Sequence, residues 1–176
     1  MPTFKVYIAT SEDGYITDAE GSVDWLHPYP ADSFGFEEFI GSISVIVMGR
    51  KSFDQVMEFG EWPFEDQQAI VLTSGGEPPV EIPNVKFYKG DVGHLAEVLR
   101  QNAKGDVWVF GGGDAIRQFL EAGQIDSMEL YVVPEVLGSG IELFAGRQDP
   151  ANFSHVEETC PLNVVKRTYT RTQGGK

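Results

Sequence analysis

Cysteine is nearly missing from this chain. Cys160 is the one thiol in 176 residues, so no internal disulfide can form and nothing suggests an exported scaffold. Cations are scarce as well. The chain has 13 Lys and Arg against 27 Asp and Glu, and the formal charge of −14 argues against nucleic acid or an anionic membrane surface as partner. Histidine occurs singly, at His27, His94 and His155, without metal-ligand spacing, so no metal site is expected. No apolar run approaches the ~20 residues of a membrane helix, and Phe4 to Ala9 is too short for a signal peptide. The expectation is a cytoplasmic protein without a membrane span. The shortage of cations has a further consequence: an anionic ligand would need a local basic patch.

What is present is ordinary globular composition, 41% hydrophobic, without low-complexity segments or an internal repeat. The length suits one domain, placed at 1–171 with a frayed tail at 172–176, and buries about two-thirds of the unfolded surface. The most informative stretch is DVWVFGGGDAIRQFLEAG, Asp106 to Gly123. Val107 to Phe110 is an apolar run of buried-strand type. Three glycines follow, then Ile116, Phe119 and Leu120 at helical spacing, with Gly123 where a helix stops in the left-handed conformation. A strand, a glycine turn and a helix start form a phosphate-binding geometry: backbone approaches closely and the first helical N–H groups face the anion. On spacing alone, a tight turn without ligand is an equal reading, because this is not GxGxxG and lies late in the chain.

In chain order, Thr3 to Thr10 reads as a strand. Ser11 to Gly21 is a loop with turns at Asp13-Gly14 and Glu20-Gly21 around the apolar pair Tyr15-Ile16. A helical pattern opens at Asp32, with Asp32 or Ser33 as cap and Phe36, Phe39 and Ile40 on one face. Ile43 to Met48 is a second buried strand, closed by Gly49-Arg50-Lys51-Ser52 before a short helix. This second turn sets two cations and a hydroxyl where a phosphate site would require them. Ala69 to Leu72 and Val85 to Tyr88 are strands, Asp91 caps a helix, Met128 to Val133 is a strand, and the tail alternates as an antiparallel pair around Pro161. The pattern is α/β, a mainly parallel central sheet flanked by helices with antiparallel C-terminal strands.

Five collinear motifs carry a resemblance. Ser11-Glu12-Asp13-Gly14-Tyr15-Ile16, Trp25, Met48 to Ser52, Leu72-Thr73-Ser74 and Val109 to Gly113 stand in the order seen in dihydrofolate reductases. Ala122 to Asp126 and Pro134 to Gly140 look more like the reductase domain of the bifunctional riboflavin-biosynthesis protein. Over about Thr3 to Thr170 the chain resembles the bacterial dihydrofolate-reductase-like group. The resemblance implies NADPH as cofactor. Ala9 and Ile16 would meet the nicotinamide carboxamide. Gly49, Arg50, Lys51 and Ser52 would hold phosphates, with Arg50 on the 2′-phosphate. Leu72, Thr73 and Ser74 would lie along the adenosine half. Gly111, Gly112 and Gly113 would take the pyrophosphate with the helix-start residues Asp114, Ala115 and Ile116. It also implies a cis peptide between Gly111 and Gly112 and a homodimer paired through sheet edges.

The implied reaction is NADPH-dependent reduction of a small pterin- or pyrimidine-like heterocycle, with Trp25, Phe36 and Phe39 as pocket walls. The alternative is an NADPH-binding protein without efficient turnover. Two departures bear on the substrate. Glu65-Asp66-Gln67-Gln68 stands where folate reducers carry an arginine, which disfavours a dianionic folate tail. Phe110 stands where riboflavin reductases carry an acid. For the proton, Asp32 and Asp13 are the candidate carboxyls, each set against a purely structural role as N-cap or turn former.

Overall fold

β-branched and apolar runs become strands here, and amphipathic segments between them become helices. The computed structural model describes residues 1–75, 81–144 and 149–172; the expected frayed end lies, from 173 on, outside the described residues. The first half contains β1 (Phe4–Thr10), β2 (Tyr15–Thr17), α1 (Phe36–Gly41), β3 (Ile43–Gly49), α2 (Arg50–Glu58), β4 (Gln68–Leu72) and β5 (Val85–Tyr88). Then come α3 (Val92–Asn102), β6 (Asp106–Gly111), α4 (Gly113–Glu121), β7 (Ser127–Val132), β8 (Ile141–Glu142), β9 (Phe153–Thr159) and β10 (Val165–Arg171). The architecture is α/β, with a mainly parallel central sheet and antiparallel C-terminal strands. No helix among the described residues is long and apolar enough to cross a membrane. The chain divides into two compact units, Met1–Phe4 with Ser42–Gln124 and Lys5–Gly41 with Ile125–Lys176.

In the first unit, β5, β4, β3 and β6 run parallel in that order. Val45 to Met48 and Val107 to Val109 are buried along their whole length, as parallel strands covered on both faces require. Helix α4 turns Ala115, Ile116 and Phe119 into the core, and Phe119 stacks on Phe4 at 5.9 Å between ring centroids. Gly123 ends that segment at φ +69° and Asp91 caps α3 by accepting from His94 N at 2.9 Å, both as read from the sequence. Two irregularities were not foreseen. Between β3 and β6 the register passes from Ile43↔Asp106 to Val45↔Val107, leaving Ser44 unmatched, and from Val47↔Val109 to Met48↔Gly111, leaving Phe110 unmatched.

In the second unit, β1 and β7 are parallel while β7, β10 and β9 are antiparallel. The helix expected from Asp32 is divided. Ala31–Phe34 is a 3₁₀ turn with Pro30 at its N-cap and no side-chain cap, and Gly35 at φ +74° separates it from α1. The proposed caps, Asp32 and Ser33, are therefore corrected: Pro30 presets the entry, and both residues fall inside the turn. The segment is held from the sheet. Tyr7 on β1 and Tyr131 on β7 each donate their phenol O–H to the Phe34 carbonyl at 2.9 Å, and Tyr7 stacks on Phe39 at 4.6 Å. Burial pushes Tyr7 up to about 12. Burial first, then the neighbouring Tyr7, pushes Tyr131 up as well. Tyr15-Ile16, read as an apolar island, forms β2 and pairs with β8. A Cβ on Gly140, at φ +144°, would collide there with the Thr17 carbonyl oxygen.

Candidate functional site

The first unit brings three expected segments together at the carboxyl ends of neighbouring parallel strands. Gly49 pairs in register with Leu72 of β4, and Met48 pairs with Gly111 of β6. The turns after β4, β3 and β6 are thereby side by side, in the position where open α/β sheets bind ligands. The peptide between Gly111 and Gly112 is cis, as the resemblance implied.

The backbones of this cradle approach one another closely. A Cβ on Gly49 would lie in ordinary contact, 3.7 Å from Gly112 N, and one on Gly112 would lie 3.4 Å from Ser52 Oγ; the glycine requirement rests on Gly111. Gly111 sits at φ +131°, which L side chains rarely adopt. Helix α2 begins after Gly49 and α4 after Gly112, and neither start has a side-chain cap. Two helix N-termini thus bring the positive ends of their dipoles to these strand ends. These residues fit a pyrophosphate.

Arg50 sits at the flank. Its Nε donates to Asp54 at 3.0 Å and its guanidinium lies 5.6 Å from the Phe87 ring centroid on β5, so it is braced on a flat aromatic surface. Lys51 is exposed and Ser52 half-buried. Beyond β4, Thr73 N accepts its place in the ladder by donating to Tyr88 O at 3.0 Å, and its hydroxyl receives Gly75 N at 3.1 Å. Ser74 is exposed. Asp114 is the one acid in the first turn of α4, and Arg117 one turn on holds its carboxylate. Next to the cradle, Phe110, Trp108 and Phe64 form an aromatic group. Phe110 lies 4.9 Å from Trp108, and Phe64 lies 6.0 Å from Phe110. Only the Trp-Pro-Phe run at Trp62 to Phe64 hinted at it.

In the second unit the expected residues take more structural parts. Asp13 accepts from Ser11 Oγ at 2.6 Å, Leu137 N at 3.2 Å and Gly138 N at 2.8 Å. Desolvation opposes ionisation, but these donors outweigh it and hold the carboxyl below its ordinary range. Asp13 therefore fastens the loop after β1 to the turn after β7. Asp32 is exposed within its 3₁₀ turn. Ile16 is buried at 6% exposure on β2. Ala9 and Trp25 pack on a cluster built from Phe34, Tyr131, Val133 and Val164, and Trp25 Nε1 donates to Ser22 O at 3.2 Å. Phe39 is buried against Tyr7, while Phe36 is half-buried at 5.7 Å from the same ring. The two tyrosines were missed in the sequence, since nothing in a lone Tyr marks its distant partner.

Comparison with known proteins agrees with this geometry. The RibD C-terminal domain family matches residues 62–165. In Bacillus subtilis (strain 168), uncharacterized protein YwjB is 30% identical over 141 residues, 79% of this chain and 80% of its own. Uncharacterized protein YyaP of the same organism is 32% identical over 174 residues, 92% of this chain and 91% of its own. A putative riboflavin biosynthesis protein from Shewanella sp. PV-4 superposes with a TM-score of 0.84 at 30% identity, over 97% of this chain and 99% of that one. The deaminase/5-amino-6-(5-phosphoribosylamino)uracil reductase of Thermotoga maritima gives 0.74 at 19% identity, over 97% and 56%. Dihydrofolate reductase from Enterococcus faecalis, complexed with NADP(H), gives 0.68 at 21% identity, over 96% of each chain. The last two likenesses speak for the fold alone. The family match over the glycine turn and the likeness to YyaP along nearly the whole length lead to one conclusion: this chain belongs to the RibD C-terminal domain family.

Proposed function

We propose that the chain is an NADPH-dependent reductase of a small pterin- or pyrimidine-like heterocycle. The observation that carries this reading is the glycine cradle at three adjoining strand ends, flanked by Arg50 on the Phe87 ring. It is supported by the match to the RibD C-terminal domain family and by the likeness to a putative riboflavin biosynthesis protein.

NADPH, when bound, supplies the hydride. The protein's own part is to hold and orient. Gly111 to Ile116 and Gly49 to Ser52 present backbone N–H groups and the Ser52 hydroxyl to the pyrophosphate. Arg50 reads the 2′-phosphate, and Leu72, Thr73 and Ser74 line the adenosine half. In the second unit, Ala9 and Ile16 are the residues proposed for the carboxamide, and Trp25, Phe36 and Phe39 those proposed for the substrate. Exposed Glu65 and Asp66 disfavour a dianionic tail on that substrate. Asp32 is the proposed entry for the proton, through water, with Asp13 as the other candidate carboxyl. A homodimer paired through the exposed edge strand β9 belongs to the same proposal; light scattering at the monomer mass would refute it.

The test is calorimetric titration of NADPH followed by its oxidation against a panel of pterins and pyrimidines. Binding with oxidation of a panel member is the expected result. Binding without any oxidation favours a cofactor-binding protein, and no binding overturns the reading.

A further inference from the structure

The second unit holds a half-open cavity of about 410 Å³ that none of the cofactor assignments uses. Its size falls within the roughly 300–1,000 Å³ of small-molecule pockets. The floor is one face of β1, β7 and β10: Thr10 pairs with Val132 and Arg167 with Leu130, and cross-strand partners share a face. Leu143 and Phe144 complete an apolar surface, with Leu130 and Leu143 only 3% and 1% exposed.

Two independent features show what this surface lacks. Thr10 is 4% exposed, yet its hydroxyl makes no hydrogen bond among the described residues. Since Thr10 lines the cavity, that hydroxyl is open to a partner placed there. The second feature is charge. Glu12, Asp13 and Asp149 line the cavity, and the Glu12 carboxylate takes no hydrogen bond among the described residues. Asp149 receives only the Tyr169 phenol at 2.8 Å and a distant His155 nitrogen at 3.8 Å. Arg167, the cation in the lining, already gives its Nε–H to Glu157 at 2.8 Å. Three carboxylates therefore face one guanidinium whose charge is answered, and the field inside is negative.

We propose that this cavity is a second ligand site, for a small primary amine carrying an apolar body. The ammonium group donates to the Thr10 hydroxyl and the carboxylates, and the body lies against Leu130, Leu143 and the Phe144 ring. Asp13 lines the cavity and also fastens Leu137 and Gly138, so an occupant bears directly on the loop leading to β2. The proposal does not depend on the cofactor reading.

Three matched probes test it on the full chain: 2-phenylethylamine, 2-phenylethanol and 3-phenylpropanoate, followed by calorimetry and amide chemical shifts. The amine is expected to saturate with shifts centred on Gly14, Leu130 and Leu143. The alcohol should bind about tenfold more weakly, the loss of one charge-assisted hydrogen bond, and the carboxylate should not saturate. Glu12→Gln and Thr10→Val should each weaken the amine severalfold, and Leu130→Trp should fill the cavity and abolish binding. NADPH titrated into each variant should behave as in the wild type. Equal binding of all three probes, or full affinity in the surface variant Glu12→Gln, overturns the proposal. So does a parallel loss of NADPH binding in Glu12→Gln, which would mark the effect as global.

Discussion

The shared carbonyl of Phe34 offers a sharp test of how the second unit is held. Tyr7 and Tyr131 both donate to it at 2.9 Å, from strands β1 and β7. Replacing either by Phe leaves the oxygen one donor, so each single change should cost about 0.5–1.5 kcal/mol, an ordinary hydrogen bond. The double change leaves a buried carbonyl with neither phenol, adding a desolvation penalty of about 1–3 kcal/mol. The pair should therefore be non-additive, with a coupling of about 1–2 kcal/mol. Urea unfolding of the four proteins at neutral pH measures it directly. Losses that sum to within about 0.5 kcal/mol would refute the shared-acceptor argument. An alkaline arm checks the same contact. Tyr7 ionises near 10 when unfolded and only at about 12 when folded. Between those values the folded chain holds more protons, so stability present below pH 10 is lost as the pH rises to about 12. Tyr7→Phe should flatten that decline, leaving the shares of Tyr169, which burial also pushes to about 12, and of Tyr131 and Tyr29, which are raised as well.

Arg50→Ala should weaken NADPH by about 1.5–3 kcal/mol while changing NADH little, because a guanidinium answers the 2′-phosphate alone; equal weakening of both by calorimetry would show that it does not read the 2′-phosphate. Asp13→Asn should cost about 1 kcal/mol at neutral pH, a modest value because the group is half-exposed. Since its folded pKa lies below the ordinary carboxylate value, that stability is present above about pH 4 and disappears as the pH falls through the lowered value. Wild type and variant should converge in acid, and a constant gap down to the acid transition would contradict this. Gly140→Ala should cost about 1–3 kcal/mol by forcing a side chain into a left-handed position against Thr17. Amide exchange at Tyr15 to Thr17 should speed up with it, and unchanged exchange would show that β2 and β8 do not depend on that approach.

Much of this was legible in order along the chain. Ile43 to Met48 and Val107 to Phe110 are β-branched runs too short for helices, and both are buried strands. Asp91 and Gly123 acted through local backbone chemistry, which a linear reading captures. The cradle was legible as two separate glycine turns; their adjacency came from strand order. What escaped depends on partners far apart in sequence. Tyr7 and Tyr131 lie 27 and 97 residues from Phe34, and the three-residue β2 finds its partner only at β8. The division of the Asp32 segment at Gly35 reflects tertiary pull on a pattern whose periodicity looked continuous. The cis peptide came from resemblance; no local composition distinguishes it.

The slip at Phe110 has an evolutionary consequence. Val109 and Gly111 both pair with β3, and from Gly112 onward the chain passes into the start of α4. Phe110 has no partner in β3, and its ring packs with Trp108 and Phe64. A lineage can therefore exchange that one side chain, with its aromatic neighbours, while strand register and glycine turn stay in place. The bulge thus lets the position before the glycine turn vary without the cradle having to be rebuilt.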